Sequence, residues 1–107
     1  MDINEIINSV SAECDCFYLY DENSIIERTA KLKAELPFVE FLYSVKCNHN
    51  PEVAETVFSQ GFGSDAASLG EVRIASENGV SPGDIYYSTP GKSCKDIEKA
   101  WGKANLI

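Results

Sequence analysis

Apolar and polar positions along the chain alternate between a helical and an extended period. Ser24 to Leu36 carries Ile25, Leu32 and Leu36 on one helical face, Ser24 and Glu27 stand at the spacing of a capping box, and Pro37 closes the segment. Val39 to Val45 is an almost unbroken apolar run, which predicts a strand covered on both faces. Asn50-Pro51 reads as an N-cap with proline in the first helical position, and Val53, Ala54, Val57 and Phe58 form a stripe that stops before Gly61. Phe62 to Ala66 predicts a second strand. Ser68 to Asn78 predicts a helix with Leu69, Val72 and Ala75 inward, closed by Gly79. After the turn Ser81-Pro82-Gly83-Asp84 come a third strand, Ile85 to Tyr87, and a helix from Ser93 to Lys103 on Ile97, Ala100 and Trp101. Ala104 to Ile107 begins a further strand. This order predicts an α/β fold of parallel strands joined by right-handed helical crossovers.

The run ending at Val45 delivers one amine, Lys46, to a strand tip where the chain turns polar at Asn48. In parallel α/β sheets and barrels the carboxyl ends of the strands face the ligand crevice, so a lysine there is a candidate nucleophile toward a carbonyl. The competing reading is a solvated loop lysine. Asp65, at the end of the second strand, either steadies a nearby amine or caps the following turn. Ser68 and Glu71 have capping-box spacing, so Glu71 reaches back to the backbone of Ser68, faces the strand ends, or does both. His49 reads as a surface loop histidine. Pro90-Gly91-Lys92-Ser93 has the end of a phosphate loop, but Tyr86 stands where its first glycine belongs, which excludes nucleotide binding.

Four blocks stand in order: Phe17-Tyr18-Leu19-Tyr20-Asp21, Tyr43-Ser44-Val45-Lys46-Cys47-Asn48, Gly61-Phe62-Gly63-Ser64-Asp65-Ala66-Ala67-Ser68-Leu69-Gly70-Glu71 and Ile85-Tyr86-Tyr87-Ser88-Thr89-Pro90-Gly91-Lys92-Ser93. Together they resemble the fold-type III pyridoxal-phosphate decarboxylases, the ornithine, diaminopimelate and arginine decarboxylases with an alanine-racemase-like barrel. The likeness runs from Phe17 to Ile107. It implies the amino-terminal part of a pyridoxal-phosphate-binding (β/α)8 TIM barrel, with the first block as the strand entering the first helix. It further implies pyridoxal 5'-phosphate as cofactor, Lys46 as its Schiff-base lysine, and Asp65 and Glu71 as cofactor-proximal acids. In that family the phosphate-binding glycines, the acid against the pyridine nitrogen and the ring-stacking histidine belong to later strands. The substrate-side residues belong to a carboxy-terminal β domain and a second subunit. The implied activity of the complete protein is decarboxylation of a basic amino acid such as ornithine or diaminopimelate, in polyamine or lysine biosynthesis; the 107-residue chain alone is expected to be inactive. Two alternatives stay open. One is a catalytically silent homologue that regulates by binding a protein, as the antizyme-inhibitor branch does; the other is a barrel of the racemase or cofactor-homeostasis type.

Length and charge narrow the picture. A (β/α)8 barrel takes about 250 residues, so residues 1–107 read as a single partial domain, with the rest of the barrel and the β domain absent. Open sheet edges invite pairing with another chain, and a homo-oligomer is expected. Nine Lys and Arg against 17 Asp and Glu give a net charge of −8, which argues against nucleic acid and anionic membranes as partners and leaves a small-molecule amino acid. Cys14, Cys16, Cys47 and Cys94 lack paired CxxC spacing, so no metal site is expected and free thiols are the default. The acidic amino terminus lacks a signal-peptide pattern and no apolar run approaches ~18 residues, which together predict a soluble cytoplasmic protein.

Overall fold

The computed structural model describes residues 2–107. Helix α1 (Ile3–Ser11) and helix α2 (Glu22–Glu35) come first, followed by strand β1 (Leu42–Ser44), α3 (Pro51–Ser59), β2 (Gly63–Ala66), α4 (Leu69–Glu77), β3 (Ile85–Tyr87), α5 (Cys94–Ala100) and β4 (Asn105–Leu106). The strands form one parallel sheet in the order β1-β2-β3-β4, as the alternation predicts. Ladder positions align Ser44 with Asp65, Asp65 with Tyr86, and Tyr86 with Asn105.

Side chains alternate across a strand, so this register sorts the sheet into two faces. Tyr43, Ser64, Ala66, Ile85, Tyr87 and Leu106 face the helices. There they join Ala54, Phe58, Val72, Ala75 and Ala100 in the core, with the Tyr43 ring edge-on to Phe58 at 5.6 Å. Leu42, Ser44, Gly63, Asp65, Tyr86 and Asn105 face the other way, where no described element covers them. Leu42 is accordingly 40% exposed, so β1 is covered on one face and not on two. The sheet therefore has a packed outer side and a bare inner side, as half of a barrel must.

Caps fix where the helices begin. Asp21, and not Ser24, caps α2: its Oδ1 accepts the Asn23 N–H at 3.0 Å, and Ser24 spends its hydroxyl on Asp21 Oδ2 at 2.8 Å. Asn50 caps α3 through Oδ1 with Pro51 in the first turn, as its dipeptide predicts. Gly61, at φ +83°, turns the chain from α3 toward β2. A full capping box, Ser93 with Asp96, starts α5.

The Phe17–Asp21 block is not a strand here. Its residues form no ladder with any described strand, and Tyr18 is 88% exposed. Helix α1 has Ile3, Ile6, Ile7 and Val10 at helical spacing yet buries no residue. The radius of gyration is 16.6 Å, against about 13 Å for a compact domain of this length. No helix among the described residues is long and apolar enough to cross a membrane.

Candidate active site

Lys46 sits in a 3-10 turn, Val45–Cys47, that continues β1 directly. Val45 is fully buried on the helix side, which anchors the turn, while Lys46 itself is exposed. Two hydrogen bonds frame it. The Tyr43 hydroxyl donates to the Asn48 carbonyl at 2.5 Å, closing the backbone around the lysine, and the Asn50 N–H donates to Asn48 Oδ1 at 3.0 Å, linking that loop to the cap of α3. Burial pushes the Tyr43 phenol above its ordinary pKa, with Cys47 and Tyr20 adding to the effect, so the hydroxyl keeps its proton and remains a donor. Among the described residues the Lys46 amine has no hydrogen-bond acceptor and no carboxylate within 4.0 Å.

Lys92 is a useful contrast. It also lies near the carboxyl ends of the strands, but its Nζ donates to the Thr89 carbonyl at 2.6 Å and to the Ile107 carbonyl, and it stands 5.2 Å from the Tyr87 ring centroid. One amine is engaged by carbonyls, and the other has no partner among the described residues.

Asp65 lies on the strand beside β1, level with Ser44 and two residues below the level of Lys46. Its Oδ1 accepts the Ser88 hydroxyl at 2.9 Å, and its Oδ2 has no partner among the described residues. Ser88 follows β3, and its own N–H donates to the Ala66 carbonyl at 3.0 Å. Glu71 combines both expected roles in an unexpected geometry. Ser68 Oγ accepts the Glu71 N–H at 3.2 Å, but the Glu71 carboxylate passes over Ser68 and accepts the Ala67 N–H at 2.6 Å. Ala67 comes immediately after β2, so the helix-start carboxylate rests on the tip of that strand. Lys46, Asp65 and Glu71 thus gather at the carboxyl ends of two adjacent parallel strands, with Ser88 supplied by the third.

Ser88 and Tyr43 are the members of the site that sequence spacing does not reveal. The Ser88 bond spans 23 positions, and the Tyr43 bond requires the turn after β1 to be known. His49 and Cys47 are exposed neighbours of Lys46. A cavity of 490 Å³ between α2 and α3, lined by residues including Tyr20, Ile25, Asn50, Val53 and Thr56, touches none of the three site residues. The candidate site and this cavity therefore lie apart. The four cysteines are free and exposed, and no group of three or more potential metal ligands occurs among the described residues.

Residues 22–104 match the family described as pyridoxal-dependent decarboxylase, pyridoxal binding domain. The chain is 36% identical over 97 residues to an ornithine decarboxylase of Schizosaccharomyces pombe, covering 90% of this chain and 22% of that protein. It is 33% identical over 100 residues to antizyme inhibitor 2 of Xenopus laevis, covering 92% of this chain and 22% of that protein. The solved arginine decarboxylase of Paramecium bursaria Chlorella virus superposes with a TM-score of 0.77 at 27% identity, over 92% of this chain and 26% of that one. The chain therefore spans about a fifth of the length of the curated relatives it matches.

Proposed function

We propose, from the premise that the chain belongs to the pyridoxal-dependent decarboxylases as their pyridoxal-binding domain, that it serves a decarboxylase of a basic amino acid such as ornithine or diaminopimelate. The observation that carries this reading is the gathering of Lys46, Asp65 and Glu71 at the carboxyl ends of adjacent parallel strands, Asp65 on the bare inner face and Glu71 at the tip of β2. The donor set fits pyridoxal 5'-phosphate on its reactive side: a primary amine without a partner among the described residues, with two carboxylates at the end of the neighbouring strand. When bound, the cofactor supplies an aldehyde that an amine can hold covalently and a conjugated ring that takes up the electrons released when a carboxylate leaves.

Within that reading each residue has a task. Lys46 holds the cofactor, and the buried Val45 with the Tyr43–Asn48 bond keeps its stem directed from the strand tip. Asp65 Oδ2 presents negative charge to a protonated nitrogen near Lys46, its other oxygen being tied to Ser88. Glu71 braces the tip of β2 through Ala67 and adds a second negative charge at the same edge. Cofactor phosphate contacts and substrate selection are assigned to parts of the complete protein outside this chain, so the 107 residues alone should not turn over. We assign the complete protein a homo-oligomeric state, because among the described residues the outer edges of β1 and β4 have no strand paired to them.

Borohydride reduction of the complete protein with pyridoxal 5'-phosphate, followed by peptide mapping, tests the assignment. Label at Lys46 is the expected result; label on another lysine with Lys46 clean would overturn it. The likeness to antizyme inhibitor 2 favours one second reading, a catalytically silent regulator that binds a protein. That reading requires the complete protein to release no carbon dioxide from ornithine or diaminopimelate.

A further inference from the structure

Asp65 owes its defined direction to a residue that neither spacing nor resemblance singles out. Ser88 Oγ donates to Asp65 Oδ1 at 2.9 Å, a hydroxyl-to-carboxylate bond of the stronger, charge-assisted kind. Both ends of that bond rise from fixed backbone. Asp65 is laddered to Ser44 on one side and to Tyr86 on the other, and the Ser88 N–H is held by the Ala66 carbonyl at 3.0 Å. The hydroxyl is therefore set in place before any ligand arrives, and it selects one orientation of a carboxylate whose alternative is free rotation in water. With Oδ1 tied to Ser88 on the β3 side, Oδ2 is the oxygen left without a partner among the described residues, and β1 with Lys46 lies on the other side of β2. The bond also joins the tips of β2 and β3 where each gives way to a loop, and loops move more than the strands they leave.

We propose that Ser88 is a positioning residue of the site: it holds the Asp65 carboxylate so that its free oxygen supports capture of the cofactor aldehyde by Lys46. This rests on the reading of Lys46 given above. A residue that only tied two strands together would be needed for stability and not for the direction of Asp65. Ser88 is exposed, and replacing it removes no packed volume, so the two roles separate experimentally.

The test uses Ser88→Ala, Ser88→Thr and Asp65→Ala, singly and with Ser88→Ala combined with Asp65→Ala, in the 107-residue chain for the first readout and in the complete protein for the second. Two readouts are needed. The first is free of cofactor: Hα–Hβ couplings of Asp65 by NMR should report one rotamer in the wild type and in Ser88→Thr, and averaging in Ser88→Ala. The second is borohydride trapping with pyridoxal 5'-phosphate, scored as the share of label at Lys46 relative to the other lysines. Ser88→Ala should lower that share about three- to tenfold, as expected for one hydrogen bond, and Ser88→Thr should restore it. In the Asp65→Ala background the Ser88 change should add nothing. A single Asp65 rotamer in Ser88→Ala, or an unchanged Lys46 share, overturns the proposal. Couplings that behave as stated with no label at Lys46 in any variant would instead overturn the Lys46 reading and with it the purpose given to Ser88, while leaving its hold on Asp65 demonstrated.

Discussion

Replacing Glu71 tests whether one carboxylate both starts a helix and serves the strand ends. In the fold, Glu71 accepts the Ala67 N–H at 2.6 Å and lies in the first turn of α4, with its own N–H bonded to Ser68 Oγ. A hydrogen bond to a charged group contributes about 1.5–3 kcal/mol, and half-exposure places Glu71 at the lower end, so Glu71→Ala should cost about 1–2 kcal/mol. Glu71→Gln keeps an acceptor and removes only the charge near the helix amino terminus, for a loss of about 0.3–1 kcal/mol. At roughly 4–8 °C per kcal/mol for a domain of this size, thermal melts followed by far-UV circular dichroism resolve all three proteins. The same proteins, trapped with pyridoxal 5'-phosphate and borohydride, report the second role. Glu71→Gln should reduce label at Lys46 by more than its modest loss of stability explains. An alanine variant melting with the wild type would refute the energetic argument. Unchanged label in the glutamine variant would reduce Glu71 to a capping residue.

Three further perturbations probe the frame that carries the site. Ser64 Oγ is fully buried without a hydrogen-bond partner among the described residues, so Ser64→Ala should stabilise the chain by about 1 kcal/mol in urea denaturation, and a clear loss would reveal a hidden partner. A Cβ on Gly63 would stand 2.6 Å from both the Asp84 carbonyl oxygen and Leu42 Cδ2. Gly63→Ala should therefore cost about 1–3 kcal/mol through forced separation of β1, β2 and the turn before β3; wild-type stability would show that this approach is looser. Burial, ahead of neighbouring charge, raises the phenol pKa of Tyr43 and Tyr87. Their contribution to stability is complete below the ordinary phenol value of about 10 and is lost as pH rises through the higher folded values. Absorbance titration should thus show late-ionising tyrosines accompanied by loss of helical signal. Joint ionisation of all five tyrosines near the ordinary value, with the fold intact, would contradict it.

Short-range patterns along the chain carried most of the architecture and the amine. Pro51 after Asn50, Gly61, Ser68 and Gly79 each mark a boundary within a residue or two, because caps and turns are set by neighbours in sequence. Lys46 was legible because the apolar run of β1 ends beside it. Beyond the Tyr43 and Ser88 bonds, three features were not legible: two turn on which of several near neighbours wins a side-chain bond, and the third on pairing with another strand. The acid starting α2 is Asp21 because Ser24 turns its hydroxyl to that acid, a competition that spacing does not settle. Glu71 passes over the expected Ser68 N–H for that of Ala67 because the end of β2 presents the latter to it. The Phe17–Asp21 block has strand composition, but a strand requires a ladder, and the block forms none with the described sheet.

Charge sets the site's own limit on binding. Pyridoxal 5'-phosphate brings a phosphate of about −1.5 to −2 at neutral pH, and it must approach a chain whose net charge is −8. Beside Lys46 the nearest fixed groups of the site, Asp65 and Glu71, are also acidic, and Lys92 is engaged by carbonyls and the Tyr87 ring. Long-range repulsion therefore opposes encounter, and the chain gains the cofactor only through local chemistry at the amine. Salt screens such repulsion with a Debye length of about 10 Å at 0.1 M and about 3 Å at 1 M. The rate at which Lys46 of this chain is labelled by pyridoxal 5'-phosphate and borohydride should accordingly rise with added sodium chloride. The uncharged analogue pyridoxal, lacking the phosphate, should show little salt dependence and serves as the control for effects on the amine itself. A labelling rate that falls as salt is added, for the phosphate form alone, would mean that a cationic feature of the fold attracts the phosphate, and that Lys46 does not capture its cofactor against the field of the chain.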